Sequence, residues 1–254
     1  MKLATSASEP QRSCLSERTA KDCPRARQRG QSAMEILIIL PVLLVLVYGI
    51  IQFALIFQAR AVLNHATMMA ARAGALHNGD KAAMRTALAS GLTPLFAHDA
   101  SATGYASALA AAQLEVLPAA NLANITVVNP TKAAMNDFGR PRLDGKSGNE
   151  LPNDTLNYRD SSPGSNSKLS IQDANLIHVH VTYCYRLIVP LVNWVIWTVI
   201  NSPLLSSNSM QNPFGIDGAI TAIDPCLSYM PGLRMTITSE AVVRMQSSFY
   251  ESNL

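Results

Sequence analysis

Glu35 is the ionisable residue in this chain with the plainest physical argument attached to it. It stands at the lip of 24 residues, Ile36 to Ala59, that carry no formal charge. A carboxylate there is costly unless it stays among lipid headgroups or meets a cation. Five residues upstream lies Gly30, directly after the basic tract Arg25-Ala26-Arg27-Gln28-Arg29. A second candidate is His178 with His180, which alternate along one strand and could ligate a metal, but no third and fourth ligands follow at a familiar spacing. The third is Cys184 with Cys226. They lack the close Cys-x-x-Cys spacing of redox enzymes, and an even pair in an oxidising compartment reads as a disulfide, the alternative being two separate buried thiols. No Gly-x-Ser-x-Gly turn and no phosphate-cradling loop ending in Lys-Ser or Lys-Thr is present. The reading is a non-enzyme with no catalytic residue, no metal and no cofactor.

The element that positions Glu35 is the apolar run itself. Ile36 to Phe57 as a helix is about 33 Å long, against about 30 Å of bilayer hydrocarbon, so it can span a membrane once. Pro41 interrupts its early hydrogen bonding, and Gly49 offers a flat spot for close helix contact. Three alternatives stand beside this reading. A secretory signal would be shorter and would end in a small-residue site such as Ala59-Arg60-Ala61; the segment could be a plain uncleaved anchor; or it could be a buried helix of a soluble domain.

Charge sets the direction. Residues 1 to 30 hold seven Lys or Arg against three acidic residues, a net of +4, whereas the rest of the chain has a net of −1. The positive flank belongs in the cytoplasm, the domain after Arg60 faces the periplasm, and nucleic acid is not a partner. Cys14 and Cys23 sit in the leader on the reducing side. The leader is expected to be disordered.

Beyond the span, Val62, Ala66, Met69, Ala73 and Leu76 recur at steps of four and three and make one stripe, with Arg60, Asn64 and Thr67 on another face. The many alanines keep this segment thin enough to pack closely on other helices or to cover a sheet. Asn78-Gly79-Asp80 predicts a turn and an N-cap, Lys81 to Ser90 a helix ending at Gly91, and Ala106 to Leu117 a third helix. Strands are predicted at Asn124 to Val128, Leu176 to Leu187 and Leu233 to Met245. In the second, Val179, Val181, Tyr183 and Tyr185 share a face, opposite His178, His180, Thr182 and Cys184. The sheet is antiparallel, with one face under helix and one wet. Residues 139–170, dense in Gly, Pro, Asn, Asp and Ser, predict a long surface loop. The stretch from Leu187 to Ile200, with Trp194 and Trp197, is too short to span; it suits either a membrane or subunit interface or a helix buried on the sheet.

The order basic leader, Gly30, four residues, Glu35 and apolar helix resembles a type IV prepilin processing site. The run from Glu35 through Pro41, Tyr48 to Phe53 and Gln58-Ala59-Arg60 to Ala70-Ala71-Arg72-Ala73-Gly74-Ala75 resembles the TadE-like pseudopilins of the tight-adherence (Tad, or Flp) pilus system. The chain departs from the major Flp pilins in having Ile36 where they have Tyr after the glutamate. The resemblance implies removal of residues 1–30 by a prepilin peptidase after Gly30, a new N-terminus at Gln31, and a Glu35 carboxylate that pairs with the N-terminal amine of a neighbouring subunit. A carboxylate snorkelling to the headgroups is the alternative role for Glu35. The resemblance covers roughly the first 45 residues after Gly30; joined to the helices and antiparallel sheet read from the pattern beyond Leu76, it gives an expected class of α+β: a transmembrane and stalk helix over 31–76, from Ile36 past Pro41, Gly49 and Phe57, extended into a pilin-like periplasmic domain over 77–254. The implied role is a minor pseudopilin of the inner membrane with membrane lipid, other Tad pilins and inner-membrane assembly proteins as partners. The competing class is a bitopic periplasmic binding or adhesion module outside any pilus.

Overall fold

A computed structural model describes residues 31–190, 192–193, 226 and 234–254. The leader with Gly30, Cys14 and Cys23, and the tryptophan-bearing stretch beyond Asn193, lie outside the described residues. The chain is α+β and divides into two compact units, Met1–Leu44 and Val45–Leu254. A long helix, α1 (Gln31–Leu76), contains Pro41. In the first unit every described side chain from Met34 to Leu44 is exposed. Among the described residues α1 is the one helix long and apolar enough to cross a membrane.

In the second unit, α1 packs through its smallest residues. Ala59, Leu63, Ala66, Ala70, Ala71 and Ala75 are buried, whereas Leu76 is 55% exposed. The expected stripe is therefore rotated, sharing only Ala66 with the buried face. Thr67, expected on the polar face, is also buried, its hydroxyl donating to the Leu63 carbonyl four residues back at 2.8 Å. Close approach selects this face. A Cβ on Gly74 would lie 2.9 Å from Ile177 Cδ1, and one on Gly91 would lie 2.5 Å from Ala66 Cα.

That second contact explains why α2 (Lys81–Leu92) does not stop at Gly91. The glycine is there for proximity to α1, and the helix ends in a 3-10 turn at Thr93–Leu95 around Pro94. Asp80 caps α2 as expected, accepting from the amides of Ala82 and Ala83. α3 (Ala102–Val116) starts earlier than its alanine run because Ser101 accepts from Gly104 N and caps it there.

β1 (Ala123–Asn129), α4 (Lys132–Phe138), β2 (Arg140–Pro141), β3 (Asn149–Leu151), α5 (Ile171–Ala174), β4 (Leu176–Arg186), β5 (Arg234–Arg244) and β6 (Phe249–Tyr250) follow in chain order. They form two antiparallel three-stranded sheets, β1-β4-β5 and β2-β3-β6. Along β4 and β5 burial alternates as the pleat requires: Ile177, Val179, Val181, Met235, Ile237 and Ala241 are buried, and His178, His180, Thr236, Thr238 and Glu240 are not. Cys184 breaks the alternation because it is tied to Cys226.

The stretch 139–170, expected as one long loop, carries more order than its composition suggests. β2, β3 and a 3-10 turn at Leu156–Tyr158 lie within it. Glu150 is buried there and accepts from Arg140 Nε at 3.0 Å. Its last part is held by Asp137, which accepts from Asn166 N and from Ser167 N and Oγ. Led by the Ser167 amide, these donors hold the Asp137 carboxyl well below its ordinary value.

Candidate functional site: the long helix and its attachment

The first turns of α1 present Glu35 to the surroundings, exposed and followed by exposed Ile36 and Leu37. No partner for its carboxylate is found among the described residues. The apolar surface continues on the second unit's part of the helix, where Ile50 and Phe57 are 63% and 66% exposed. At Gly49 a Cβ would meet nothing within 4 Å. This is bare aliphatic surface of the kind lipid tails or another apolar helix cover.

One polar side chain interrupts it. Gln52 is fully buried, and its Oε1 accepts from the backbone N–H of Val189 at 2.9 Å. Its Nε2 is buried with no hydrogen-bond partner. Sequence reasoning passed over this residue, although it is the one amide side chain between Ile36 and Phe57 and a buried amide needs a partner. The partner lies 137 residues away, beyond the reach of any local pattern.

At the other end, the turn after α1 is clasped by the last residues of the chain. Ala75 O accepts from the amides of Gln246 and Ser247 and from Ser247 Oγ. Asn78 donates through its N to Ser247 Oγ and through Nδ2 to Ser248 O, and its own carbonyl accepts from Tyr250 N. Asn78 and Gly79 take positive φ, 57° and 77°. A Cβ on Gly79 would sit 2.1 Å from the ring of Phe249, which is fully buried. The glycine thus serves the turn and also makes room for the aromatic ring.

Cys184 and Cys226 form a disulfide with Cα atoms 5.5 Å apart. His178 and His180 do not converge on a metal-like centre. Both turn to Glu240 on β5, His178 Nε2 at 3.0 Å and His180 Nδ1 at 2.9 Å from its two oxygens. His180 Nε2 lies 3.3 Å from Thr182 Oγ1, so an Nδ1–H tautomer donates to the carboxylate while Nε2 accepts from the hydroxyl. Hydrogen bonds from His180 first and then His178 hold the Glu240 carboxyl below its ordinary value. Among the described residues no group of three or more His, Cys, Asp or Glu could hold a metal ion. A second polar cluster ties α3 to the sheet: Glu115 accepts from the Tyr183 hydroxyl and from Arg234 Nη2. Burial, reinforced by the Glu115 charge, pushes the Tyr183 hydroxyl far up.

Among the described residues the histidines and Glu240 form a hydrogen-bonded cluster on the sheet, and no group that could hold a metal ion is present. The chain offers a long apolar helix with a carboxylate at its start and a compact domain fixed to its end. No curated protein and no solved structure matches the chain. Residues 30–72, from the glycine before α1 into its last turns, match the family model described as TadE-like protein, so the likeness to that family lies in this N-terminal segment.

Proposed function

We propose that the protein is a minor pseudopilin of a Tad-type pilus, made with a basic leader, cut after Gly30 by a prepilin peptidase and held in the inner membrane by α1. The observation that carries this reading is the coincidence of the TadE-like match at 30–72 with an apolar helix whose single early charge is Glu35. In this reading the free amine at Gln31 of one subunit meets Glu35 of another, where opposite charges away from water attract strongly and set the register between helices. The domain after α1 faces the periplasm and contacts assembly partners. The work is packing and positioning, with no catalysis.

The test is the N-terminus and intact mass of the membrane-extracted protein, with and without the cell's prepilin peptidase. A peptidase-dependent start at Gln31 supports the proposal. A start at Met1, or just after Ala61, refutes the processing step. Glu35→Ala then separates pilus assembly from a plain anchored binding module: loss of pili with the protein still in the membrane supports the pseudopilin, and unchanged pili count against it.

A further inference from the structure

β4 runs out at Arg186, and the chain continues with the uncharged residues Leu187, Ile188, Val189 and Pro190. Leu187, Val189 and Val192 are buried, while Ile188 is 63% exposed. This stretch docks on α1 through the bond from Val189 N to Gln52 Oε1. Gln52 lies five residues before Phe57, so at 1.5 Å per residue the contact sits about 7–8 Å inside the end of the apolar run. Around it on α1, Ile51 and Phe53 are exposed at 45% and 42%. Exposed Ile188 therefore belongs to the same level of the molecule as exposed aliphatic and aromatic surface of the spanning helix.

We infer that the Leu187–Pro190 stretch enters the outer leaflet beside α1, with Ile188 against lipid acyl chains, giving the protein a second point of insertion. The inference rests on the membrane reading of α1. Hydrocarbon admits non-helical backbone only where its polar groups are satisfied by protein, and the bonds around Val189 and Pro190 meet that demand at those two residues, while Gln52 Nε2 is left without a partner. Val189 N is taken by Gln52, Pro190 has no N–H, Val192 N donates to Pro190 O at 2.8 Å and Asn193 N to Val189 O at 3.1 Å. The same features account for an amide at position 52 of an otherwise largely apolar stretch: it is the acceptor that lets a strand end dock beside the helix.

The test uses the full-length chain in phospholipid vesicles, with Cys14 and Cys23 replaced by serine and the Cys184–Cys226 disulfide intact. Spin labels go singly at Ile188→Cys, at Leu46→Cys within the span and at Thr126→Cys on the exposed face of β1. Accessibility to oxygen and to a nickel chelate reports lipid and water respectively. Lipid insertion predicts that oxygen dominates at 188 as it does at 46, at a shallower depth, and that the chelate dominates at 126. It also predicts that Gln52→Leu shifts the 188 label toward the aqueous signature with 46 unchanged. An aqueous 188 beside a lipid-embedded 46 overturns the inference and leaves the anchor standing. Aqueous signals at both positions overturn the anchor itself. Exclusion of both probes from 188 signifies protein contact and overturns lipid docking.

Discussion

Replacing Gly79 with alanine tests whether the clasp at the end of α1 is built as described. Two separate costs arise. Residue 79 has φ +77°, a region that costs an L-residue about 1–2 kcal/mol. The new methyl would also lie 2.1 Å from the Phe249 ring, a fully buried side chain whose Cδ2 is itself only 2.5 Å away. Overpacking of this kind costs about 1–3 kcal/mol, so Gly79→Ala should lose about 2–5 kcal/mol in all. At about 2–4 °C per kcal/mol for a chain of this size, the midpoint of thermal unfolding, followed by near-ultraviolet circular dichroism on the detergent-solubilised full chain, should fall by about 4–20 °C. Gly145 supplies the internal control: its φ is +75°, but nothing lies within 4 Å of its Cβ position. Gly145→Ala therefore carries the backbone cost alone, about 1–2 kcal/mol. In a Phe249→Ala background the ring is gone, and Gly79→Ala should fall to the Gly145 level, a coupling that a double-mutant cycle reads directly. Equal effects of the two glycine changes in the parent chain, or no coupling to Phe249, would refute the close contact.

The disulfide joins residues separated by 42 positions. Changing both Cys184 and Cys226 to serine should therefore cost about 4 kcal/mol by loop-closure entropy, read as a lower thermal midpoint; the parent should lose as much on reduction and the double mutant nothing. Gly91→Val places atoms within 2.5 Å of the Ala66 backbone, which cannot swing aside as a side chain can. It should destabilise by about 1–3 kcal/mol, and Gly49→Ala, in open space, should not. His180→Ala removes the leading cause of the low Glu240 pKa, so the carboxyl titration followed by carbon NMR should move up toward 4.5, the ordinary value. The folded value lies below the unfolded one, so this contact stabilises above the ordinary glutamate range, and the contribution fades as pH falls through the folded value. Glu240 is more than half exposed, which keeps the stability effect small.

Periodic features could be read directly from the chain. The apolar helix, the Asp80 cap and the alternation of β4 and β5 each follow from a pattern within a dozen residues. The disulfide was reachable by arithmetic, since only two cysteines remain after the leader. The buried face of α1 was not, because hydrophobicity points at Val62, Met69 and Leu76 while the packing is governed by how closely backbones approach. Gly74 and Gly91 carry that information, but their partners, Ile177 and Ala66, come from other elements. The strands of the second sheet are two or three residues long and show no period. Their order comes from long-range pairs such as Leu151 with Phe249 and from the Arg140–Glu150 ion pair. The two histidines could be placed on one face from sequence, yet their partner Glu240 lies on a strand some sixty residues on.

This division of α1 bears on how the proposed pilin packing would work. An alanine-rich extension looks available for close packing with neighbouring subunits. In the fold, Ala59, Ala66, Ala70, Ala71 and Ala75 are already covered by the chain itself. What the same stretch leaves exposed is Ala61, Asn64, His65, Met68 and Arg72, a mostly polar surface with few large apolar side chains to bury. Between Glu35 and Gly49, by contrast, the side chains are aliphatic except for Tyr48 and mostly exposed, and the glycine itself leaves open space. Helix-to-helix association without water is driven by close packing, small residues and paired polar groups. The earlier stretch offers exposed aliphatic surface, a flat spot at Gly49 and, in the proposed assembly, the Glu35 carboxylate for pairing, so the intersubunit contacts of that proposal are placed at Glu35 through Gly49, while Ala59 through Ala75 fixes the domain to the helix. Widening Gly49 to leucine should therefore impair pilus assembly without lowering the thermal midpoint, and widening Gly74, whose Cβ position is 2.8 Å from Met84 Sδ, should lower the midpoint first.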